Sequence, residues 1–468
     1  MAPGHMIPMI DIGKLLAKRG MIVTVVTTPV NATRFKLIID HSLQSGLQIH
    51  LLQLQFPCKE AGLPEGCENL DSLPAELMSN FFIATTMLQQ PLEEALQDMQ
   101  PLPNCIISDM GHPWTSSIAQ KFQIPRLLFH GTSCFSLLCS HNMFHYKIHE
   151  TITSSTEPFL LPGMPDPIEI TKAQLPGMMV APSKLSSLSM GNKIRSTEGT
   201  EYGVVVNSFY ELEHKYVKEY QKAKGKQVWC IGPVSLCNKE ASEKTDRGNK
   251  ASLMKTCVFN GWTHGHPSQS CMFVLLIELG LALEASNRPF IWAFRSGDQS
   301  GELDNWVRDG FEERVKGRGF IIRGWAPQVL ILFHSAIGGF LTHCGWNSAL
   351  EGICAGVPMI TWPMFAEQFT NEKLIVEVLK IGVKVGAEVP VRWGEEDEIG
   401  LQVRKEGIEK AIVALMDEGE EGEERRKRAE EVGEKAHLAV EEGGSSYLNL
   451  TLLIEDIVLH SSQKSVNE

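Results

Sequence analysis

From Trp325 to Lys373 the sequence reads WAPQVLILFHSAIGGFLTHCGWNSALEGICAGVPMITWPMFAEQFTNEK. Several side chains in this stretch suit a phosphorylated, hydroxyl-rich ligand. His343, Asn347 and Ser348 stand at a tight glycine-containing turn, where backbone N–H groups and a helix N-terminus can receive a diphosphate. Glu367 and Gln368 offer acceptors and donors for hydroxyl groups. Trp325 offers a flat face for a base. Phosphate cradle, hydroxyl readers and aromatic platform together describe a nucleotide-sugar site. Far away in the chain, His5 is of the type that accepts a proton near neutral pH. Asp109 closes the apolar run PNCIISD. An Asp at the carboxyl end of a parallel strand is placed like an active-site residue; it can equally cap a helix starting near Pro113, and both can hold. His264 and His266 suggest a metal only superficially, because no third ligand has suitable spacing. No Asp-x-Asp pair stands ready to hold a divalent ion.

The elements that must carry these residues follow from pattern. Ala336 to Thr342 is short and apolar, a buried strand. His343-Cys344-Gly345 turns the chain, and Asn347 or Ser348 is a helix N-cap, with Ser348 and Glu351 at capping-box spacing. Ala355-Gly356 ends that helix and Pro358 prevents its continuation. Val357 to Trp362 is the next strand and Gln368 to Lys380 the next helix. Strand, turn, helix, strand, turn, helix makes a parallel sheet, whose ligand crevice lies beyond the carboxyl ends of its strands. Further strands are expected at Met21–Thr28, Gln48–Gln55, Pro103–Asp109, Arg126–His130, Gly203–Ser208, Pro289–Arg295 and Gly319–Arg323. Helices are expected over Ala75–Met99, Glu211–Lys222, Glu418–Lys435 and Ser445–Val458. Thr151 to Ser196, rich in Pro, Ser and Met, reads as loop and short helix.

The stretch from Trp325 to Gln368 resembles, without a gap, the signature of the plant UDP-dependent glycosyltransferases of family 1. That resemblance implies a GT-B fold, an α/β architecture of two Rossmann-like domains with parallel sheets facing a cleft. It implies that Trp325 stacks on uracil, with Ala326 and Gln328 at the edge of the base, and that Glu351 holds the ribose hydroxyls. His343, Asn347 and Ser348 would meet the diphosphate, and Trp346, Glu367 and Gln368 the sugar. Gln368 suits glucose as the donor sugar. The match extends to HMIPMIDIGKLLAKRG, where Gly4-His5 corresponds to a Gly-His pair of the family. A histidine so near the start of a chain is by itself as readily a solvated side chain; the resemblance makes His5 the catalytic base and Asp109 the carboxylate that orients it. The activity implied is inverting, metal-independent transfer of glucose from UDP-glucose, a co-substrate rather than a cofactor, to a hydroxyl of a small lipophilic metabolite. The segment Pro165–Pro176 and the N-terminal helix are most similar to the group acting on flavonols, cytokinins, brassinosteroids and triterpenoids.

Two departures from the family pattern stand out. The family has a strand before the first helix, and here the chain opens at the helix. Residues 256 to 275, TCVFNGWTHGHPSQSCMFVL, replace a strand and a Gly-Ser loop. Each departure removes one central strand, which leaves its neighbours without ladder partners. A second function class is thereby kept in view: a non-catalytic or decayed relative that at most binds UDP-sugar.

Length and composition bound the rest. The chain has 468 residues, 43% hydrophobic and 21% charged, ordinary for a globular protein of two or three domains. A net charge of -13 disfavours a nucleic-acid partner. The eleven cysteines are scattered, as in a cytoplasmic protein with reduced thiols. No apolar run reaches membrane-spanning length, and the start is too short and weakly basic for a signal peptide. The expected division is an acceptor-binding domain over 1–237, a linker over 238–255, a UDP-sugar-binding domain over 256–444, and a helix over 445–468 returning to the first domain. A monomer is expected.

Overall fold

The computed structural model describes residues 3–70, 73, 75–175, 186–240, 243–244, 269–294, 301–324, 326–391 and 403–467. In chain order its strands are β1 (Val23–Thr27), β2 (Ile49–Gln53), β3 (Ile106–Asp109), β4 (Arg126–His130), β5 (Pro158–Leu160), β6 (Glu169–Thr171) and β7 (Gly203–Val206). They continue with β8 (Val228–Cys230), β9 (Phe290–Phe294), β10 (Gly319–Arg323), β11 (Phe340–Thr342), β12 (Met359–Thr361) and β13 (Gly382–Lys384). Two compact units result: Met1–His141 with Ala181–Asn238 and Lys435–Glu468, and Asn142–Val180 with Lys239–Glu434.

In the first unit β1 and β2 pair in parallel, and β3, β4, β7 and β8 form a separate four-stranded parallel sheet in that order. β4 and β7 are buried along their whole length, as strands covered on both faces must be, and their apolar runs LLF and VVV follow from it. The first helix, Pro3–Lys18, serves both sheets. Ile10 and Ala17 pack with Phe35, Ile39 and Ile49 beside β1 and β2. Ile12 packs with Leu127, Phe129, Val205 and Trp229 over the larger sheet. The C-terminal helix Ser445–Asn467 adds Leu450, Leu453 and Ile457 to that second cluster. Each such fully buried side chain contributes about 1.5–3 kcal/mol.

In the second unit β10 pairs with β9, and β11, β12 and β13 form another parallel sheet. One core unites them: Trp292 and Phe294 from β9, Leu341 from β11, Ile360 from β12, and Ile408, Ile412 and Leu415 from the helix Lys405–Leu415. Among the described residues, no strand pairs β1 with β3, or β9 with β11.

Several local expectations need correction. The helix expected over Ala75–Met99 is divided into Met78–Met87 and Gln89–Asp98. Pro91 explains the break, since it lacks an N–H and its ring crowds the carbonyl four residues back, at Met87. Thr151 to Ser196 contains an antiparallel ribbon, β5 with β6. The helix after Gln368 is α-helical only to Lys373 and continues as a π-turn over Leu374–Val378. Of the patch 256–275 only 269–275 is described, and it begins the helix Gln269–Ala285. Most of the expected linker 238–255 and the acidic run Gly394–Glu398 lie outside the described residues.

Candidate active site

His5 lies in the first turn of its helix, and Asp109 is the last residue of β3. His5 Nδ1 is 2.8 Å from Asp109 Oδ2. The other carboxylate oxygen accepts the Gly111 N–H at 2.7 Å. Burial pushes the Asp109 carboxyl up, but the charge and hydrogen bond of His5, helped by His112 and the Gly111 N–H, outweigh it and hold the group at about 2. Near neutral pH Asp109 is therefore an anion, and a carboxylate only accepts hydrogen bonds. Nδ1 carries the proton and donates, which makes Nε2 the accepting nitrogen of the neutral ring. That is the tautomer a general base requires. The His5 side chain keeps 48% of its exposure and Asp109 only 11%, so the base reaches outward from a buried anchor.

Two histidines that the sequence reading passed over stand near this pair. Burial lowers both His112 and His130 to about 4, although the Asp109 charge works against it. Both are neutral at pH 7, and neither Nδ1 has a hydrogen-bond partner among the described residues. His130 follows Phe129, which sits opposite Asp109 in the β3–β4 register. The signal was available: both histidines fall at carboxyl ends of adjacent parallel strands, where such sheets bind ligands.

The second group of residues gathers around β11. Cys344, in the turn after this strand, has φ +64, a left-handed conformation. The helix begins at Trp346, and its N-cap position is Gly345, with no side-chain cap. This overturns the expected Ser348–Glu351 capping box. The chain already turns into the helix at Gly345, where the His343 ring lies close over the position a Cβ would take. Ser348 consequently lies inside the helix, 1% exposed, and its hydroxyl has no partner among the described residues. An uncapped helix N-terminus beside an unpartnered buried hydroxyl is suited to an anion.

Glu351 is buried one turn further on and accepts a hydrogen bond from Gln328 Nε2. Gln328 Oε1 has no partner among the described residues. Ala326, 3% exposed, lies two residues before it, and Trp346 is buried at 2%. Trp325 lies outside the described residues. Gln368 Oε1 accepts the N–H groups of Met364 at 2.8 Å and Phe365 at 3.1 Å. Its carbonyl thus shapes the loop after β12, and its amide NH2 is the end left to meet a ligand. Glu367 is the N-cap residue of the same helix. Glu372, four residues beyond Gln368, is pushed up to about 7 by burial, with Thr361 Oγ1 donating to it at 2.6 Å. Among the described residues no three His, Cys, Asp or Glu converge as metal ligands. No described helix is long and apolar enough to cross a membrane. Cys58, Cys67, Cys105, Cys134, Cys139, Cys230, Cys237, Cys344 and Cys354 are free thiols.

Two parallel α/β units, one holding a proton-accepting pair and the other an anion-suited turn, are the parts of a GT-B glycosyltransferase. Residues 275–393 match the family model described as UDP-glucoronosyl and UDP-glucosyl transferase. The sequence is 50% identical to UDP-glycosyltransferase 73C3 of Arabidopsis thaliana, over 98% of this chain and 95% of that protein. The chain belongs to the UDP-glycosyltransferase family of enzymes. Among solved structures it resembles Glycyrrhiza uralensis UGT73P12, complexed with glycyrrhetinic acid 3-O-monoglucuronide, at a TM-score of 0.89 and 36% identity, covering 100% of this chain and 96% of that one. Arabidopsis thaliana UGT89C1, complexed with UDP-L-rhamnose, follows with a TM-score of 0.67, 28% identity and 97% of each chain covered.

Proposed function

We propose that this protein transfers glucose from UDP-glucose to a hydroxyl of a small lipophilic plant metabolite, with inversion and without a metal ion. The observation that carries this reading is the His5–Asp109 bond, which sets His5 in the tautomer of a base. His5 Nε2 takes the proton of the acceptor hydroxyl as that oxygen attacks the anomeric carbon. The new C–O bond forms while the bond to the β-phosphate oxygen breaks, and a single displacement inverts the carbon. Asp109 stabilises the imidazolium that results. UDP leaves as an anion, met by the N-terminus of the helix Trp346–Cys354, by Ser348, and by His343 and Asn347 beside it.

In this reading Trp325, Ala326 and Gln328 hold uracil, Glu351 the ribose, and Trp346, Glu367 and Gln368 the sugar. The first unit serves the acceptor and the second the donor. The amide end of Gln368 supports glucose, whose hydroxyls accept from it. The complex of UGT73P12 with glycyrrhetinic acid 3-O-monoglucuronide supports a bulky small-molecule ligand here too, for which triterpenoids, flavonols, cytokinins and brassinosteroids are the classes to try. We place the enzyme in the cytoplasm as a monomer that needs neither nucleic acid nor membrane. Among the described residues no strand joins β1 to β3 or β9 to β11, which favours one other reading, a relative that binds UDP-sugar without transferring it.

The purified chain, offered UDP-glucose, UDP-glucuronic acid and UDP-rhamnose in competition with a panel of those acceptors, distinguishes these readings. A β-linked glucoside as main product, assigned by NMR couplings, is the expected result. An α-linked product, preference for another sugar, or UDP binding without turnover would overturn it.

A further inference from the structure

The turn between β11 and the helix Trp346–Cys354 depends on a residue beyond the stretch that resembles the family signature. Cys344 bears a side chain and yet has φ +64, a conformation disfavoured for such residues. Its carbonyl accepts a hydrogen bond of 2.8 Å from Nδ2 of Asn371, which is 0% exposed. Its N–H donates to Thr342 Oγ1 at 3.2 Å. Asn371 lies three residues after Gln368 in the helix Gln368–Lys373, so both stand within one turn of it. Its neighbour Glu372 is fastened to β12 through Thr361. The helix that presents Gln368 is thus tied to the turn that aims the helix at Trp346.

We propose that Asn371 is a positioning residue for the donor diphosphate. By holding the Cys344 carbonyl it keeps the left-handed turn in place. It thereby keeps the first turn of the helix Trp346–Cys354, with the Ser348 hydroxyl, aimed at the phosphates and in register with Gln368. The inference rests on the donor-site reading given above. It deepens that reading by naming what holds the phosphate-binding turn in a conformation its own residues resist.

Calorimetric binding of UDP to the wild-type chain, Asn371→Ala, Cys344→Gly and the double variant tests it. Losing one buried hydrogen bond in the wild-type background is expected to weaken UDP binding about tenfold. The KM for UDP-glucose should rise by a similar factor, with the acceptor KM nearly unchanged. Glycine adopts φ +64 unaided, so in the Cys344→Gly background the same substitution should cost less than about threefold. Should Asn371→Ala fail to fold, Asn371→Ser serves the same comparison. Unchanged UDP affinity in the Asn371 variant would overturn the inference. So would an equal loss in both backgrounds, which would mark a merely structural role. A wild-type chain that does not bind UDP would instead refute the donor-site reading itself.

Discussion

Asp109 does two jobs with one carboxylate. Oδ2 sets the His5 tautomer, and Oδ1 fastens the loop at Gly111. Asp109→Asn keeps the shape but removes the anion, so either ring nitrogen can then carry the proton. A loss in kcat of roughly 10²- to 10⁴-fold is expected in steady-state assays; a loss below about threefold would mean that Asp109 only caps the loop. Gln368 divides its roles in the same manner. Gln368→Glu retains an acceptor for the Met364 and Phe365 N–H groups but loses the NH2. The KM for UDP-glucose should rise about tenfold with the melting temperature held, whereas Gln368→Ala should raise the KM and also lower the melting temperature. A Gln368→Glu enzyme with unchanged KM would show that the amide does not meet the donor. The identities of these residues were legible through the resemblance, and their divided roles were not. Nothing in the spelling HCGWNS tells that the His343 ring covers residue 345. For that reason Ser348 reads as a cap from sequence and is a buried, unpartnered hydroxyl in the fold.

Most strands of both units were readable as short apolar runs, but β8 and β13, three residues each, were not. Nor was the ribbon β5–β6. Its strands are three residues each, too short for an alternation to show among Pro, Ser and Met. The break at Leu88 was readable in principle, from Pro91, but the apolar pattern on both sides of it hides the boundary. Sheet order was beyond sequence reasoning, and it matters most. β1 and β2 form a two-stranded sheet, an arrangement of marginal stability unless something packs on it; here the first helix does, and that helix also carries His5. β4 and β7 have ladder partners on both edges. Amide hydrogen exchange should therefore be markedly faster in Val23–Thr27 and Ile49–Gln53 than in Leu127–His130 and Gly203–Val206. UDP should leave that contrast intact, since its residues lie in the other unit. Equal protection in both sheets would mean that the two-stranded extent of the β1–β2 sheet has no energetic consequence.

The two units should respond to pH in opposite senses. In the first, His112 and His130 are lowered by burial to about 4 when folded, against an ordinary 6.5. The unfolded chain binds protons there that the folded unit refuses, so stability rises with pH between about 4 and 6.5. Glu213, pushed up to about 7 by burial, offsets one of the two. Burial raises Glu198, while Glu201, despite its burial, is lowered by the hydrogen bond and charge of Lys224, so these two act in opposite directions. In the second unit Glu372, raised by burial from 4.5 to about 7, holds a proton when folded that it loses when unfolded, so stability falls as pH rises through that window. Denaturant unfolding between pH 4.5 and 6.5 should show one transition strengthening and the other weakening, and Glu372→Gln should abolish the weakening. Two transitions that shift together would contradict these assignments.

Whether a chain in which no described strand joins β1 to β3 or β9 to β11 supports chemistry is decided by one comparison. Glucose transfer from UDP-glucose to a lipophilic acceptor should be measured with the purified 468-residue chain and with His5→Ala beside it. We expect turnover by the wild-type chain and a loss of roughly 10²- to 10⁴-fold in the variant. A folded wild-type chain that binds UDP but transfers nothing, or a His5→Ala chain as active as its parent, would contradict the account.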